Sequence, residues 1–458
     1  MIVISAGSRR GGAISGAGIV AATFLLGRLF YGSATGLLAG AITATTFHIV
    51  IQSRLAVFDP TLLVFMLLAL YMYLVGYTTG SRRAHLWAWA WAGLATMSKG
   101  PIGLMLPAMV IVGLWTVRRE WGRWREIPLL GPLIYVAVGL PWYIIETARH
   151  GEVFVRTAIG YYLVNRFFGV VEDQPGPWWF YVPVLVLGTF PWTAFVPLAV
   201  AWLLRRRRDL GSQVVLLWCG ITVAFYSLAG TKLANYVLPV YPVLAIGIAR
   251  LWVDLLEDAP ESRRLRRWAI VLLPGLLAFF VVALAMLGLT TFPAQVAGLR
   301  TPLLIVAVIF AGGPLAALGF LLARRMERAL AALLLTMVIA VPVLVHDTLP
   351  AIEQFRPIPR IARRLRAEMQ PGDVVAAVHM SLDSSLRFYS GHRVVWVETG
   401  NDLILTLCGP ERVFLVVPAD QDEGWVRAAL PAGVRLQGED GGYRIFLKEV
   451  TVSCPGHG

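Results

Sequence analysis

Charge is scarce in this chain. Of its 458 residues, 15% are Asp, Glu, Lys or Arg, where an ordinary soluble domain carries about 25%. Hydrophobic residues make up 57%, and the mean hydropathy is +0.69. That balance excludes a soluble globular enzyme and a disordered chain, and it implies a polytopic membrane protein. Cysteine is rarer still. The 3 Cys are Cys219 in an apolar run and Cys408 and Cys454 in the tail, which is neither a metal framework nor a disulfide scaffold. In an oxidising compartment Cys408 and Cys454 can pair. Residues 1–6 are too few, and too poor in basic residues, for a signal peptide. The 7 His show no mutual metal-binding spacing. No Walker loop, dinucleotide fingerprint, nucleophile elbow, solenoid repeat or low-complexity tract is found. The net charge of +13 would suggest nucleic acid in a soluble protein. No zinc-knuckle spacing, RNA-binding aromatic signature or basic helix with interleaved aromatics supports that, so no nucleic-acid partner is expected.

What the chain does have is apolar segments. A spanning helix needs about 20 apolar residues. About twelve spans are predicted on that yardstick, near 13–27, 34–51, 60–79, 85–98, 101–117, 128–147, 179–203, 213–229, 236–256, 268–290, 302–323 and 329–346. The fourth and fifth are short and are parted by Ser98, Lys99, Gly100 and Pro101, where proline cannot continue a helix. Arginines cluster at Arg28, Arg82–Arg83, Arg118–Arg125, Arg205–Arg208, Arg263–Arg267 and Arg324–Arg328. Twelve spans place all of them on one face, which the positive-inside rule makes cytoplasmic. The other face takes the Arg54–Asp59 loop, the Lys99 turn, the loop 148–178, the Lys232–Tyr236 turn, the loop 291–301 and the tail. The N-terminus falls there too, with Arg9 and Arg10 outside and against the rule. One further span upstream would restore the pattern, so the chain is expected to begin one helix late.

Two domains are expected: a transmembrane domain over 1–349 and a small extracytoplasmic α/β domain over 350–458. In the tail, strand-like runs (Val374–His379, Arg393–Glu398, Arg412–Val417, Tyr443–Val450) alternate with amphipathic stretches (Ile358–Met369, Asp402–Leu407, Glu423–Ala429).

Candidate functional residues gather on the predicted outer face. Asp59 precedes Pro60 and follows Arg54. An acid at membrane depth is a functional candidate, and Asp before Pro is equally a good helix start. Lys99 sits at a helix break and can meet a phosphate as a point charge; the plainer reading is a snorkelling lysine. Lysine occurs only at 99, 232 and 448, which favours a role for the first two. Lys232, Asn235 and Tyr236 bring a cation, an amide and a phenol to one turn, suited to a phosphate or sugar hydroxyl, although interfacial tyrosine is also common. The loop 148–178 holds Arg166, which suits an anionic ligand, then Glu172, Asp173, Trp178 and Trp179. Aromatics beside carboxylates suit carbohydrate, and an interfacial aromatic anchor fits as well.

In order, Gly27–Gly32, Arg54-Leu55 with Asp59, Leu94–Gly103, Arg166–Gly169, Gly176–Pro183, Phe190–Trp192, Lys232, Asn235-Tyr236, Leu238–Pro242 and the tail segment Leu386–Arg393 run nearly the whole chain. Together they resemble the polyprenyl-phosphate-sugar-dependent membrane glycosyltransferases of the GT-C superfamily, in the group of aminoarabinose transferases and protein O-mannosyltransferases. The resemblance implies a multi-pass protein of the cell membrane. It would transfer a sugar from a polyprenyl-phosphate carrier to a lipid, glycan or protein acceptor on the extracytoplasmic face. Lys99, Lys232 and Arg166, with Arg54 and Tyr236, would bind and neutralise the leaving phosphate, and a carboxylate would take the acceptor's proton. The family's catalytic carboxylate lies in an Asp-Glu pair in its first outer loop. Residues 1–12 hold no acid, so Asp59, similar to the family's second acid, becomes the catalytic candidate. No residues match the metal site of some relatives, and no metal ligand or other cofactor is assigned. The alternatives are a carrier-binding protein without turnover and a lipid-linked-sugar transporter. The latter predicts ionisable groups deep in the spans, of which there are almost none.

Overall fold

The computed structural model describes residues 6–55, 57–156, 160, 167, 169, 175–258, 262–289, 298–353, 357–378, 384–419, 426, 427, 430, 431 and 433–449. The helices of its first part are α1 (Ala6–Tyr31), α2 (Ser33–Ala44), α3 (Phe47–Gln52), α4 (Asp59–Thr79), α5 (Arg82–Lys99), α6 (Ile102–Arg118), α7 (Leu130–Gly139) and α8 (Pro141–Val155). They continue as α9 (Tyr181–Gly188), α10 (Val196–Arg205), α11 (Leu210–Leu228), α12 (Val240–Leu256), α13 (Ser262–Leu289), α14 (Arg300–Leu322) and α15 (Met326–Val343). Two compact units divide the chain: one holds Ala6–Leu289 and Leu304–Pro342, the other holds Met1–Ser5, Thr290–Leu303 and Val343–Gly458.

The protein is a helical polytopic membrane protein. Among the described residues, five helical stretches are long and apolar enough to cross a membrane: Arg10–Tyr31, Asp59–Thr79, Leu210–Leu228, Arg300–Leu322 and Met326–Ala351. The count rises to seven if α7 with α8, bent by 51°, and α9 with Thr193–Arg205, bent by 115°, each form one span. The expected twelve segments do become helices, but several fall short as spans. The 12 residues of α2 reach about 18 Å, against a hydrocarbon core of about 30 Å.

Local chemistry explains the boundaries. Helix α4 starts on Asp59-Pro60, with proline in the first turn, and stops at Gly80, whose φ of 71° is left-handed. Ser81 then caps α5 by accepting the Ala84 N–H, and Asp209 caps α11 by accepting from Ser212. Helix α5 ends at Lys99 because Gly100 takes φ 90°. Helix α12 is buried almost all round, from Val240 to Leu255, as an apolar helix inside a bundle must be. Its one buried acid, Asp254, is paired with Arg250 at 2.7 Å and accepts from Trp202 Nε1 at 2.8 Å.

The bundle has a basic end. Tyr31 Oη donates to Asp209 at 2.8 Å, joining the end of α1 to the start of α11. Arg118 Nε donates to Gln213 Oε1 at 2.6 Å, and the Arg123 guanidinium lies 4.0 Å from the Tyr77 ring centroid. Asp59 and Tyr77 are 18 residues apart on α4, so this end lies about 27 Å from Asp59.

The second unit carries α16 (Leu349–Glu353), α17 (Pro357–Glu368), α18 (Ser384–Ser390), α19 (Gly400–Leu407) and five strands: β1 (Val374–Val378), β2 (Arg393–Val397), β3 (Val413–Pro418), β4 (Val434–Asp440) and β5 (Tyr443–Lys448). The sheet order is β2-β1-β3-β5-β4, parallel through β2, β1 and β3 and antiparallel beyond. Alternate β1 residues feed opposite cores: Val375 and Ala377 pack with Ile361 and Leu365 of α17, Val374 and Ala376 with Leu403 and Leu407 of α19. Strand β4 is not legible in the sequence, since Arg435, Gln437 and Glu439 disguise it. The Gly441-Gly442 pair, with φ of 57° and 82°, turns it into β5. Cys408 is disulfide-bonded and Cys219 is free. The expected partner Cys454 lies outside the described residues, as does most of the helix expected at Glu423–Ala429.

Candidate functional site

At the start of α4 and the end of α5, Lys99 Nζ lies 2.6 Å from Asp59 Oδ1. The carboxylate is nearly buried, at 11% side-chain exposure, while the lysine keeps 34%. Phe58, not Asp59, is the N-cap of α4, and no side chain caps it. Asp59 therefore sits in the first turn, where the positive helix end favours its charge. Of the two readings of Asp59, the capping hydrogen bond is absent and a buried ion pair is present. Lys99 spends one N–H on Asp59, and its ammonium also lies 5.9 Å from the centroid of the Tyr236 ring. Tyr236 stacks on Tyr226, with centroids 4.8 Å apart. One aromatic ring, backed by a second, and an acid thus flank a partly open ammonium.

Lys232 has a different environment. Its Nζ donates to the carbonyls of Tyr226 at 3.2 Å, Ser227 at 2.6 Å and Ala229, so all three ammonium N–H groups face the C-terminal end of α11. Those carbonyls have no partner within their helix, and the charge suits the negative helix end. Lys232 is 6% exposed, and burial lowers its pKa from the usual lysine value. Its stem also packs against Gly176, where an added Cβ would fall 2.7 Å from Lys232 Cγ. The turn is pinned by Gly230 N donating to Phe167 O at 2.7 Å and Thr231 Oγ1 donating to Gly169 O at 3.1 Å.

The other candidates are more dispersed. Arg54 is exposed in the turn after α3, with no side-chain partner among the described residues. Arg166, Glu172 and Asp173 lie outside the described residues. Trp178 and Trp179 are exposed, at 78% and 51%. No group of three or more His, Cys, Asp or Glu able to hold a metal ion occurs among the described residues. Tyr226 and Tyr143 escaped the sequence reading. Tyr226 lies six residues before Lys232 in Phe225-Tyr226-Ser227, and a polar aromatic ending an apolar run was its signal. Tyr143 Oη donates to Thr96 O at 3.1 Å and approaches Gly100 from α8.

A family model described as dolichyl-phosphate-mannose-protein mannosyltransferase matches residues 6–145, a stretch that includes Arg54, Asp59 and Lys99. The chain is 30% identical over 271 residues to the undecaprenyl phosphate-alpha-4-amino-4-deoxy-L-arabinose arabinosyl transferase of Pseudomonas paraeruginosa, covering 58% of this chain and 49% of that protein. It is 32% identical over 266 residues to the transferase of the same description from Pectobacterium carotovorum, covering 55% and 46%. In fold it matches ArnT from Cupriavidus metallidurans bound to undecaprenyl phosphate, with a TM-score of 0.78 over 98% of this chain and 85% of that one, at 19% identity. The chain is thus similar to the membrane glycosyltransferases of this family over residues 6–145 and has an ArnT-like fold. It spans about half the length of the curated relatives it matches. The ArnT-like fold carries both parts expected from sequence, the apolar helical bundle and the mixed α/β C-terminal sheet. Within that ArnT-like bundle, the Asp59–Lys99 pair joins the two ends of α4 and α5 in the matched stretch.

Proposed function

We propose that this protein transfers a sugar from an undecaprenyl-type phosphate carrier to an acceptor hydroxyl or amine on a lipid, glycan or protein at the extracytoplasmic face, lipid A being one such acceptor. The observation that carries the reading is the Lys99–Asp59 pair at 2.6 Å, beside Tyr236, in an ArnT-like bundle. The carrier's phosphate displaces Asp59 from Lys99, whose two other N–H donors are already turned from the acid. The bond between the sugar's anomeric carbon and the phosphate oxygen breaks, and the phosphate keeps the electron pair. Lys99 stabilises that charge, with Arg54 and Arg166 as further cations. The acceptor atom bonds the anomeric carbon, and its proton passes to the Asp59 carboxylate that Lys99 has released. Lys232 holds the turn that carries Tyr236.

The same reading places the arginine-rich ends in the cytoplasm and the tail outside. The disulfide at Cys408 supports it, because disulfides persist in oxidising compartments. A second reading, carrier binding without turnover, is favoured by Asp59 being occupied by Lys99.

The test is purified full-length protein with polyprenyl-phosphate-linked sugars, scored for released polyprenyl phosphate and, separately, for donor binding. Turnover that Asp59→Asn abolishes while donor binding survives supports transfer. Binding without turnover, weakened by Lys99→Ala, supports the second reading. No binding of any donor sinks both.

A further inference from the structure

At the other end of the bundle, six arginines line one cavity of about 810 Å³: Arg263, Arg266 and Arg267 from α13, Arg324 and Arg325 from the turn before α15, and Arg328 from α15. Asp258 and Glu327 are the only acids lining it among the described residues. The chain forces this crowding. Helix α14 ends at Leu322 and α15 begins at Met326, so a three-residue link holds the second arginine group against the first. Packed guanidinium groups repel one another, and an anion among them removes that repulsion. One of them lacks an acceptor: Arg266 Nε is buried with no hydrogen-bond partner among the described residues. A buried N–H left so costs free energy that a bound oxygen would recover.

This cavity belongs to the arginine-rich end, not to the Asp59–Lys99 site. Helix α12 separates them. Its N-terminal end follows the Tyr236 turn, and its C-terminal residues Leu255 and Leu256 line the cavity about 24 Å away.

A second cavity identifies the class of anion. An apolar groove of about 540 Å³ runs between α14 and α15, lined by Ile309, Gly312, Ala316, Phe320, Leu335 and Ile339 among others, and Arg328 borders both it and the arginine cavity. The groove exists because its floor is glycine and alanine. At Gly312 an added Cβ meets nothing within 4 Å, so the space beside it is open. Trp268 and Leu322, exposed at 50% and 61%, adjoin the two arginine groups in the chain, where interfacial anchors are expected. A charged pocket opening at one residue into an apolar groove matches a molecule with an anionic head and a hydrocarbon chain. We propose that this protein binds an anionic glycerophospholipid here, its phosphodiester among the six arginines and one acyl chain along α14 and α15. Basic pockets between membrane helices hold anionic headgroups by this chemistry.

The test reconstitutes the full chain in phosphatidylcholine nanodiscs with a minor fraction of phosphatidylglycerol and counts lipid retained after extraction by native mass spectrometry. Phosphatidylglycerol is expected to be retained over phosphatidylcholine by roughly tenfold, with the preference falling as salt rises. The double substitution Arg266→Gln with Arg325→Gln should remove that preference. Gly312→Leu leaves every arginine in place and fills the groove, and it should lower retention as much. If the arginine variant fails to fold, Gly312→Leu and the salt series decide the matter alone. Wild-type retention in Gly312→Leu, or equal retention of both phospholipids by the wild type, overturns the proposal. So does inorganic phosphate protecting the lipid-free protein as well as phosphatidylglycerol does, which would mark a soluble-anion site. Polyprenyl phosphate displacing phosphatidylglycerol from the wild type and not from the variants would assign the pocket to the carrier instead, and also overturns it.

Discussion

Three lysines in one chain have come to serve two purposes. Lys232 and Lys448 are clamps: one closes the end of α11, and the other, 1% exposed, donates to the carbonyls of Gly409 and Glu411. Lys99 alone meets a carboxylate and keeps a third of its side chain open. The two kinds respond differently to substitution. Lys99→Ala should cut turnover by roughly 100-fold or more, the scale of removing one group that stabilises developing charge, and it should also lower Tm, because the nearly buried Asp59 carboxylate loses its cation. Lys232→Met should lower stability without a comparable loss of donor binding. It strands carbonyls of Tyr226, Ser227 and Ala229, costing about 1–3 kcal/mol for each one left unsatisfied, so Tm falls while donor KM stays near the wild-type value. Thermal melting in detergent and initial rates on the same preparations separate the two. The rarity of lysine marked Lys232 out. Rarity could not tell a helix clamp from a phosphate ligand, because the carbonyls it clamps are backbone atoms that every sequence has.

Element by element, small residues decide how close the helices come. Gly103, one residue into α6, lies against the backbone of α5: an added Cβ would come within 2.4 Å of the Ala95 carbonyl carbon. Gly103→Val should push α5 and α6 apart, cost about 1–3 kcal/mol as an overpacking change, and reduce turnover by moving Lys99 from Asp59. Denaturation and rate measurements together check it; a stable variant with normal rates would show that the contact yields. In the second unit, α19 opens with a reciprocal capping box, in which Asp402 accepts from Thr399 Oγ1 at 2.7 Å and from Thr399 N at 3.0 Å. Those hydrogen bonds hold the Asp402 carboxyl below its ordinary 3.8. The cap is therefore complete above about pH 4 and is lost as pH falls through the lower folded-state value. Amide-exchange protection factors across Gly400–Leu407 should drop over that acid range in the wild type. Asp402→Asn should flatten the dependence.

For the whole molecule, the proposed orientation rests on the distribution of charge. Arginines gather at one end of the bundle and the Asp59–Lys99 pair lies at the other, about 27 Å along α4. If the arginine-rich end is cytoplasmic, a membrane-impermeant maleimide applied to intact cells should label Cys408 after mild reduction. It should not label a cysteine placed at Arg207. Labelling at Arg207 and protection at Cys408 would invert the topology and move the proposed site to the cytoplasmic face.

The sequence by itself determined the membrane class, the order of the apolar segments, the break after Lys99 and most of the α/β tail. Each of these rests on local patterns of apolar period, proline and glycine that need no distant partner. It left β4 hidden, because an edge strand with alternating polar residues and a glycine reads as loop until β5 pairs with it. Only the tertiary structure decided that Asp59 meets Lys99 across 40 positions, that Lys232 is spent on its own helix end, and that two separate arginine groups share one cavity. Those outcomes depend on which helix ends the packed bundle brings together. That proximity is set by the burial of helices such as α12, and no stretch of the chain encodes it alone.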